Sequence, residues 1–479
     1  MLSIRYNGAA RHSFAAMVRV GVLQALLGVL FASASASAMH AQVRPAASLI
    51  RRDSLDNGMQ VIVVENHSVA LATAHIVFRG GAMTQTAELQ GVPHLFEHML
   101  FKSYRGMDDG GFDRDASLSK AAYNGATSDE SVSYTMWLPS DKLGECVQML
   151  ADLVRDPQFL DKDLQTERFV VRNEMQRAQS NPEYLLSAAV EQGLWGSWYP
   201  RKNTIGNDVS LFAVNPSTLK QLYQKWYVPN NAALIVTGDV QAEKVFGEAR
   251  KHFGRWKRAA DPFVANPVPK PPPFDSVQAY VYTHAVQTVT VQMNWRGPDL
   301  RSDSIGALDA DAFVDLLNAE DSQLQRLLVD TGNFQSASFS HSTYRNGSEL
   351  QFRGITTPDK LLLALGLLGT ELGKFTDPAY FDANALVAAA KRRRVGQVLA
   401  LEESSSFASS LGDIWATAGL DSFLRHDAAV GARSAATISA FAGRYIAKKP
   451  YVLGVLTPEG TETAVGNTLV QFISFLREP

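Results

Sequence analysis

"GVPHLFEHMLFKS", residues 91–103, decides how the rest of this chain is read. It sets His94 and His98 four positions apart, with Glu97 immediately before the second histidine. Pro93 suits the first turn of a helix, where its missing N–H would be unpaired anyway. In a helix begun there, residues four apart share one face, so both imidazoles point the same way. Leu95, Phe96 and Met99 then face a core. Two neutral imidazoles so placed can reach one zinc ion at about 2.0–2.1 Å, and Glu97 stands ready to take a proton from water without ligating. The order inverts the H-E-x-x-H spacing. The alternative is an apolar helix that buries two structural histidines. The motif alone does not decide, because a hydrolytic zinc site needs a third protein ligand.

A candidate lies downstream in "DLQTERFVVRNEMQRAQSNPEYL", residues 163–185. Glu167 and Glu174 are seven apart, which places both on one helix face. Either glutamate alone reads as part of a solvated face. Val170 and Val171 between them suggest that the helix packs with its carboxylates turned inward, where each needs a partner that a cation would supply.

Working outward, the chain repeats itself. "TAHIVFRGGAM" around Arg79 resembles "TVQMNWRGPDL" around Arg296, each an alternating strand that runs into a glycine turn. "KWYVPNNAALIVTGDV" resembles "GRYIAKKPYVLGVLTPE", each a helix end, a loop and a buried strand. Both matches fall at nearly one offset, which indicates an internal duplication. Long helical patterns such as "PSDKLGECVQMLADLVRD" and "PDKLLLALGLLGTELGKF" alternate with the strands in each half. The expected fold is therefore α+β: two homologous layered domains, each an antiparallel-rich sheet with helices packed on one side. The offset that carries Arg79 onto Arg296 carries His94, Glu97 and His98 onto Asp311, Val314 and Asp315. The second half is expected to keep the helix and lose the metal motif.

Residues 258–276, rich in proline from Pro262 to Pro273, read as a semi-rigid linker between the halves. Expected boundaries are 39–257 for the first domain and 277–479 for the second. Before them, residues 1–38 carry Arg5, Arg11 and Arg19, then an apolar run, then alternating Ser and Ala. That is the order of a secretory signal peptide with a cut after Ala38, so the chain is expected to be exported to the periplasm or beyond. The 479 residues exceed one ordinary core. A net charge of −3 gives no electrostatic reason to expect nucleic acid. The single cysteine, Cys146, sits among apolar neighbours and reads as core packing.

The inverted motif followed by "ER-VV--E" resembles the pitrilysin-type zinc peptidases, the inverzincins, and in length and duplication their short bacterial two-domain members, similar to mitochondrial processing peptidase subunits. The resemblance implies zinc, one per chain, with His94, His98 and Glu174 as ligands, Glu97 as general base and Glu167 as the carboxylate that orients a ligand. "YNGATSDESVSYTMWL", residues 123–138, resembles the family's N-A-x-T strand region, which implies that Asn124, Ala126 and Thr127 lie beside the metal and bind substrate by strand addition, with Tyr134 continuing the strand. For Asn124 alone, a turn residue is an equally good reading.

The likeness breaks in the second half. Family members carry an Arg and a Tyr there that hold the substrate, whereas "DSQLQRLLVDTGNFQSASF", residues 321–339, has Val329 and Gln335 or Ser336 at those places. Arg326 lies one turn earlier and is a possible substitute, the other reading being a solvated helix arginine. The resemblance therefore implies a homologous partner chain, in a heterodimer or a homodimer, that supplies the missing pair, with chamber closure about the linker. The expected activity is a zinc-dependent endopeptidase. Its rivals are a non-catalytic assembly subunit of the same fold and a zinc hydrolase acting on a non-peptide substrate.

Overall fold

The computed structural model describes residues 49–102, 104–106, 110–401 and 403–477; the expected leader, residues 1–38, lies outside them. Strands β1 (Ile50–Ser54), β2 (Gln60–Glu65), β3 (Leu71–Arg79), β4 (Ala122–Thr127), β5 (Ser131–Pro139) and β6 (Ala232–Gly238) form one sheet in the order β1-β2-β6-β3-β5-β4. Strands β7 (Gln278–His284), β8 (Val289–Arg296), β9 (Ser336–Ser342), β10 (Glu349–Thr356) and β11 (Val452–Pro458) form a second, in the order β7-β11-β8-β10-β9. Leaving out β1, the two orders superimpose strand for strand. Even the parallel pairs correspond, β2 with β6 and β7 with β11, while the other pairs are antiparallel. The duplication legible in the sequence is thus a duplication of topology.

The helices used below are α1 (Val92–Lys102), α2 (Leu143–Arg155), α3 (Asp161–Gln179), α4 (Pro182–Trp195), α5 (Ala242–Phe253), α6 (Ser304–Leu317), α7 (Leu361–Lys374), α8 (Ala383–Ala400), α9 (Ser404–Thr417) and α10 (Leu420–Gly431). Side chains alternate across a strand, so each sheet has two faces to bury. Val61, Val63 and Ile76 turn to a core built with α1, α2 and α5 of the first half. Cys146 is fully buried in that core, Sγ 3.4 Å from Met136 Sδ, and burial pushes its thiol pKa up.

The other face of each sheet is covered by a helix from the opposite half. Ile62, Val64 and Val77 pack against Phe407, Leu411 and Trp415 of α9. Reciprocally, Leu186, Val190 and Leu194 of α4 pack on Val452 and Leu456 of the second sheet. Trp415 Nε1 donates to Gln60 at 2.8 Å, and the Arg79 guanidinium lies 4.3 Å over its ring. Each half thus packs its own helices on one side of its sheet, as expected, and borrows cover for the other face.

The proline-rich segment is pinned rather than hinged. Trp198 Nε1 donates to the carbonyl of Pro269 at 3.1 Å, Arg296 donates to that of Pro272, and Val268 and Phe274 pack on the α4 cluster. A swing of the halves about this linker would have to pull out both exchanged helices.

Candidate metal centre

Helix α1 is anchored by Leu95, Phe96, Met99 and Leu100, all at most 1% exposed. Each such burial contributes roughly 1.5–3 kcal/mol as an upper estimate. This fixes the rotation of the helix and turns His94 and His98 to one side, their rings 4.9 Å apart and perpendicular. Helix α3 packs across α1 with Val171 fully buried and Val170 38% exposed. Its inward face thus carries Glu167 and Glu174, and Val170 lies on the solvent side.

Glu174 Oε2 lies 3.7 Å from His94 Nε2 and 3.6 Å from His98 Nε2. One donor atom from each of the three residues falls within 4.8 Å of the others, and this is the metal-type cluster found among the described residues. Tetrahedral zinc with bonds of about 2.0–2.1 Å needs donors about 3.3 Å apart. The two spacings from Glu174 exceed that by a few tenths of an ångström and the third lies within 4.8 Å, so two imidazoles and a carboxylate fit the ion once the side chains draw together. Glu167 Oε2 sits 3.0 Å from His98 Nδ1, which makes Nδ1 the donor and leaves the Nε2 lone pair facing Glu174. Lys102 Nζ approaches the other oxygen of Glu167 at 3.4 Å.

Burial, with His98 beside it, holds the His94 pKa down to about 4, so this ring is neutral, the form that ligates. Burial works the same way on His98, but the hydrogen bond to Glu167 and the charges of Glu174 and Glu97 raise its pKa above the ordinary value. Burial likewise opposes ionisation of Glu167, yet His98 and Lys102 hold its pKa low. Glu97 is 7% exposed; burial raises its pKa, against a hydrogen bond of 2.7 Å from Thr127 Oγ1. A carboxylate with a raised pKa beside a cation site can both take and return a proton.

Thr127 and Gly125 face Glu97 from β4, and a Cβ at Gly125 would lie 2.4 Å from Glu97 Oε1. Asn124 and Ala126 are exposed on the opposite face of the same strand. Residues 123–138 form a hairpin rather than one continuous strand. Ser128 N donates to Ser131 O at 2.9 Å around an Asp129–Glu130 turn, and Tyr134 lies on β5 directly across from Gly125. Gly125 and Lys102 had no signal in a single sequence; the glycine is visible only once strand pairing shows what it faces. Arg326 is exposed on the stretch Arg326–Asp330, with Val329 half-buried beside it.

In the second half, α6 holds the equivalent positions. Asp315 accepts from Arg393 of α8 at 2.7 and 2.9 Å, and Asp311 is flanked by His341 at 2.9 Å and His426 at 3.2 Å. Helix α8 meets α6 as α3 meets α1. In the second half a guanidinium of the chain itself thus pairs with the aspartate that stands in place of His98.

A family profile described as "Insulinase (Peptidase family M16)" matches residues 60–198, and one described as "Peptidase M16 inactive domain" matches residues 213–390. A zinc protease, PqqE, of Helicobacter pylori is 27% identical over 328 residues, 67% of this chain and 72% of that one. A probable zinc protease, PqqL, of Haemophilus influenzae is 26% identical over 204 residues, but these are only 22% of its length. Among solved structures, a protease from Helicobacter pylori superimposes with a TM-score of 0.75 at 20% identity, covering 85% of this chain and 99% of that one. The periplasmic protease PqqL from Escherichia coli gives 0.72 at 15% identity, covering 91% of this chain and 51% of that one. At these identities the structural likenesses show the fold.

Proposed function

The chain belongs to the M16 peptidase family, and from that premise we propose that it is a zinc-dependent endopeptidase for peptides or unfolded polypeptide segments. The observation that carries the reading is the meeting of His94, His98 and Glu174 within 4.8 Å, with Glu97 alongside. Zinc, when bound by these three side chains, polarises a scissile carbonyl and acidifies water. The remaining steps fall to the chain. Glu97 takes a proton from the attacking water and delivers it to the leaving amine. Thr127 steadies the carboxylate between the two transfers, and Glu167 with Lys102 keeps His98 in its ligating tautomer. The open edge of β4 offers backbone N–H and C=O groups to an extended substrate.

A homologous partner chain, or a second copy, completes the site by supplying an Arg and Tyr pair. Supporting this are Val329 where the arginine is expected and the pinned linker, which leaves a second chain to form the opposite wall of a chamber. Export to the periplasm accords with the leader pattern of residues 1–38 and with the periplasmic relative. Among the described residues no helix is long and apolar enough to cross a membrane.

The test is cleavage of a quenched fluorescent peptide by the purified protein, alone and with its co-purifying chains. Glu97→Gln should retain zinc and lose at least about a hundredfold in kcat. Undiminished cleavage by that variant would remove the reading.

A further inference from the structure

Strand β4 closes one edge of the first sheet, and its two faces look onto different surroundings. Gly125 and Thr127 face Glu97, while exposed Asn124 and Ala126 face the side on which α9 covers β3, β5 and β6. Beyond Thr127 the chain turns at once, and that turn is fixed to the second half. Glu130 accepts from Arg201 and from the backbone N–H of Arg345 at 2.8 Å, and Ser131 Oγ donates to Asp413 of α9 at 2.9 Å. Between the turn and helices α6, α9 and α10 lies a cavity of about 730 Å³, lined on one side by Ser128 to Glu130.

We propose that this cavity is a subsite for a lysine or arginine side chain of an extended peptide paired along β4, with Asp413 holding the cationic head. The proposal rests on the peptidase reading above. Thr127 touches Glu97, and Ser128, about 3.8 Å further along the chain, already lines the cavity. A peptide following β4 past the metal therefore arrives there within a few residues. Its side chains alternate, so every second one is turned to the Asn124 and Ala126 side.

The lining suits a long apolar stem that ends in a charge. Ile305, Leu308, Ile414 and Phe423 form apolar walls, as a lysine or arginine stem requires. Among the described residues Asp413 has a hydroxyl and no cation as its partner, whereas Asp427 already feels Arg393 and Arg394. Two lining side chains are already engaged, Arg393 with Asp315 at 2.7 Å and His426 with Asp311 at 3.2 Å; Arg425, like Asp413, is exposed. A purely apolar side chain would desolvate the Asp413 carboxylate without pairing it, which is costly.

The experiment measures binding, by fluorescence anisotropy, of labelled peptides of about a dozen residues to the full-length Glu97→Gln protein loaded with zinc. A lysine is moved along the peptide and compared with norleucine at each place. At one position or two of like parity, lysine should bind about tenfold more tightly. The preference should vanish in Asp413→Asn, which can still accept from Ser131, and turn towards glutamate in Asp413→Lys. A lysine preference that survives Asp413→Lys, or none at any position, overturns the proposal. Because binding is read without turnover, a chain that shows this preference yet never cleaves in its Glu97 form defeats the peptidase reading alone. One that cleaves without an Asp413-dependent preference defeats the subsite alone.

Discussion

The carboxylate of Glu97 occupies the space that a side chain at Gly125 would fill, since a Cβ built there would stand 2.4 Å from Oε1 and 2.9 Å from Cδ. The proposed general base and the strand beside it are therefore fitted to each other. Gly125→Val should push Glu97 off its bond to Thr127 while leaving His94, His98 and Glu174 alone. Peptide turnover should fall by about a hundredfold, as a displacement near 1 Å costs, with zinc content unchanged. Loss of zinc in the same variant would mean that the valine disturbs the ligands instead.

In the proposed zinc site Glu167 acts through His98, 3.0 Å away. Replacing it with Gln removes a charge-assisted acceptor and frees the imidazole to change tautomer. Zinc affinity, measured by competition with a chromophoric chelator, should weaken by about 10–100-fold. An unchanged affinity would reduce Glu167 to a partner of Lys102.

His75 of β3 is fully enclosed beneath α9: Nδ1 bonds Thr135 Oγ1 at 2.7 Å, Nε2 has no partner among the described residues, and Gly412 comes so close that a Cβ there would meet Nε2 at 2.4 Å. Burial holds its pKa down to about 4, against 6.5 when free. As pH falls below 6.5 the unfolded chain binds a proton that the folded chain refuses, so stability is complete above 6.5 and declines towards pH 4. The loss amounts to about 3 kcal/mol. Urea unfolding across that range should show a steeper decline for the wild-type chain than for His75→Asn. Parallel curves would contradict the assignment.

Trp415 belongs to the second half of the sequence and is 1% exposed beneath the first sheet, with Gln60 and Arg79 as partners. Trp415→Ala should cost about 3–5 kcal/mol. Because each sheet depends on a helix from the other half, calorimetry should show one transition before and after the substitution. Two separated transitions in the wild-type chain would mean that the halves fold independently.

Much of the site was readable from spacing alone, because helical periodicity forces residues four and seven apart onto one face whatever the tertiary context. His94 with His98, and Glu167 with Glu174, are of that kind. What periodicity cannot say is which sheet an apolar face meets. The patterns of α4 and α9 look like any amphipathic helix, and nothing local in Leu186 or Trp415 announces that each lies on the other half's sheet. For the proline-rich segment composition reports stiffness alone; the contacts from Trp198 and Arg296 that hold it in place come from residues distant in sequence. Residues 123–138 read as one strand because a turn of Ser, Asp and Glu carries no glycine or proline to mark it. The Asp315–Arg393 pair was half visible, as an aspartate aligned with His98; its guanidinium comes from a helix the motif does not include.

The central claim is that Glu174 joins His94 and His98 on one ion, and zinc content tests it most directly. Wild-type and Glu174→Ala proteins, dialysed together against buffered zinc and analysed by mass spectrometry of the metal, should differ sharply. One zinc per wild-type chain and almost none in the variant is the predicted result. Tight, stoichiometric zinc in Glu174→Ala, or none in the wild-type chain, would contradict the account.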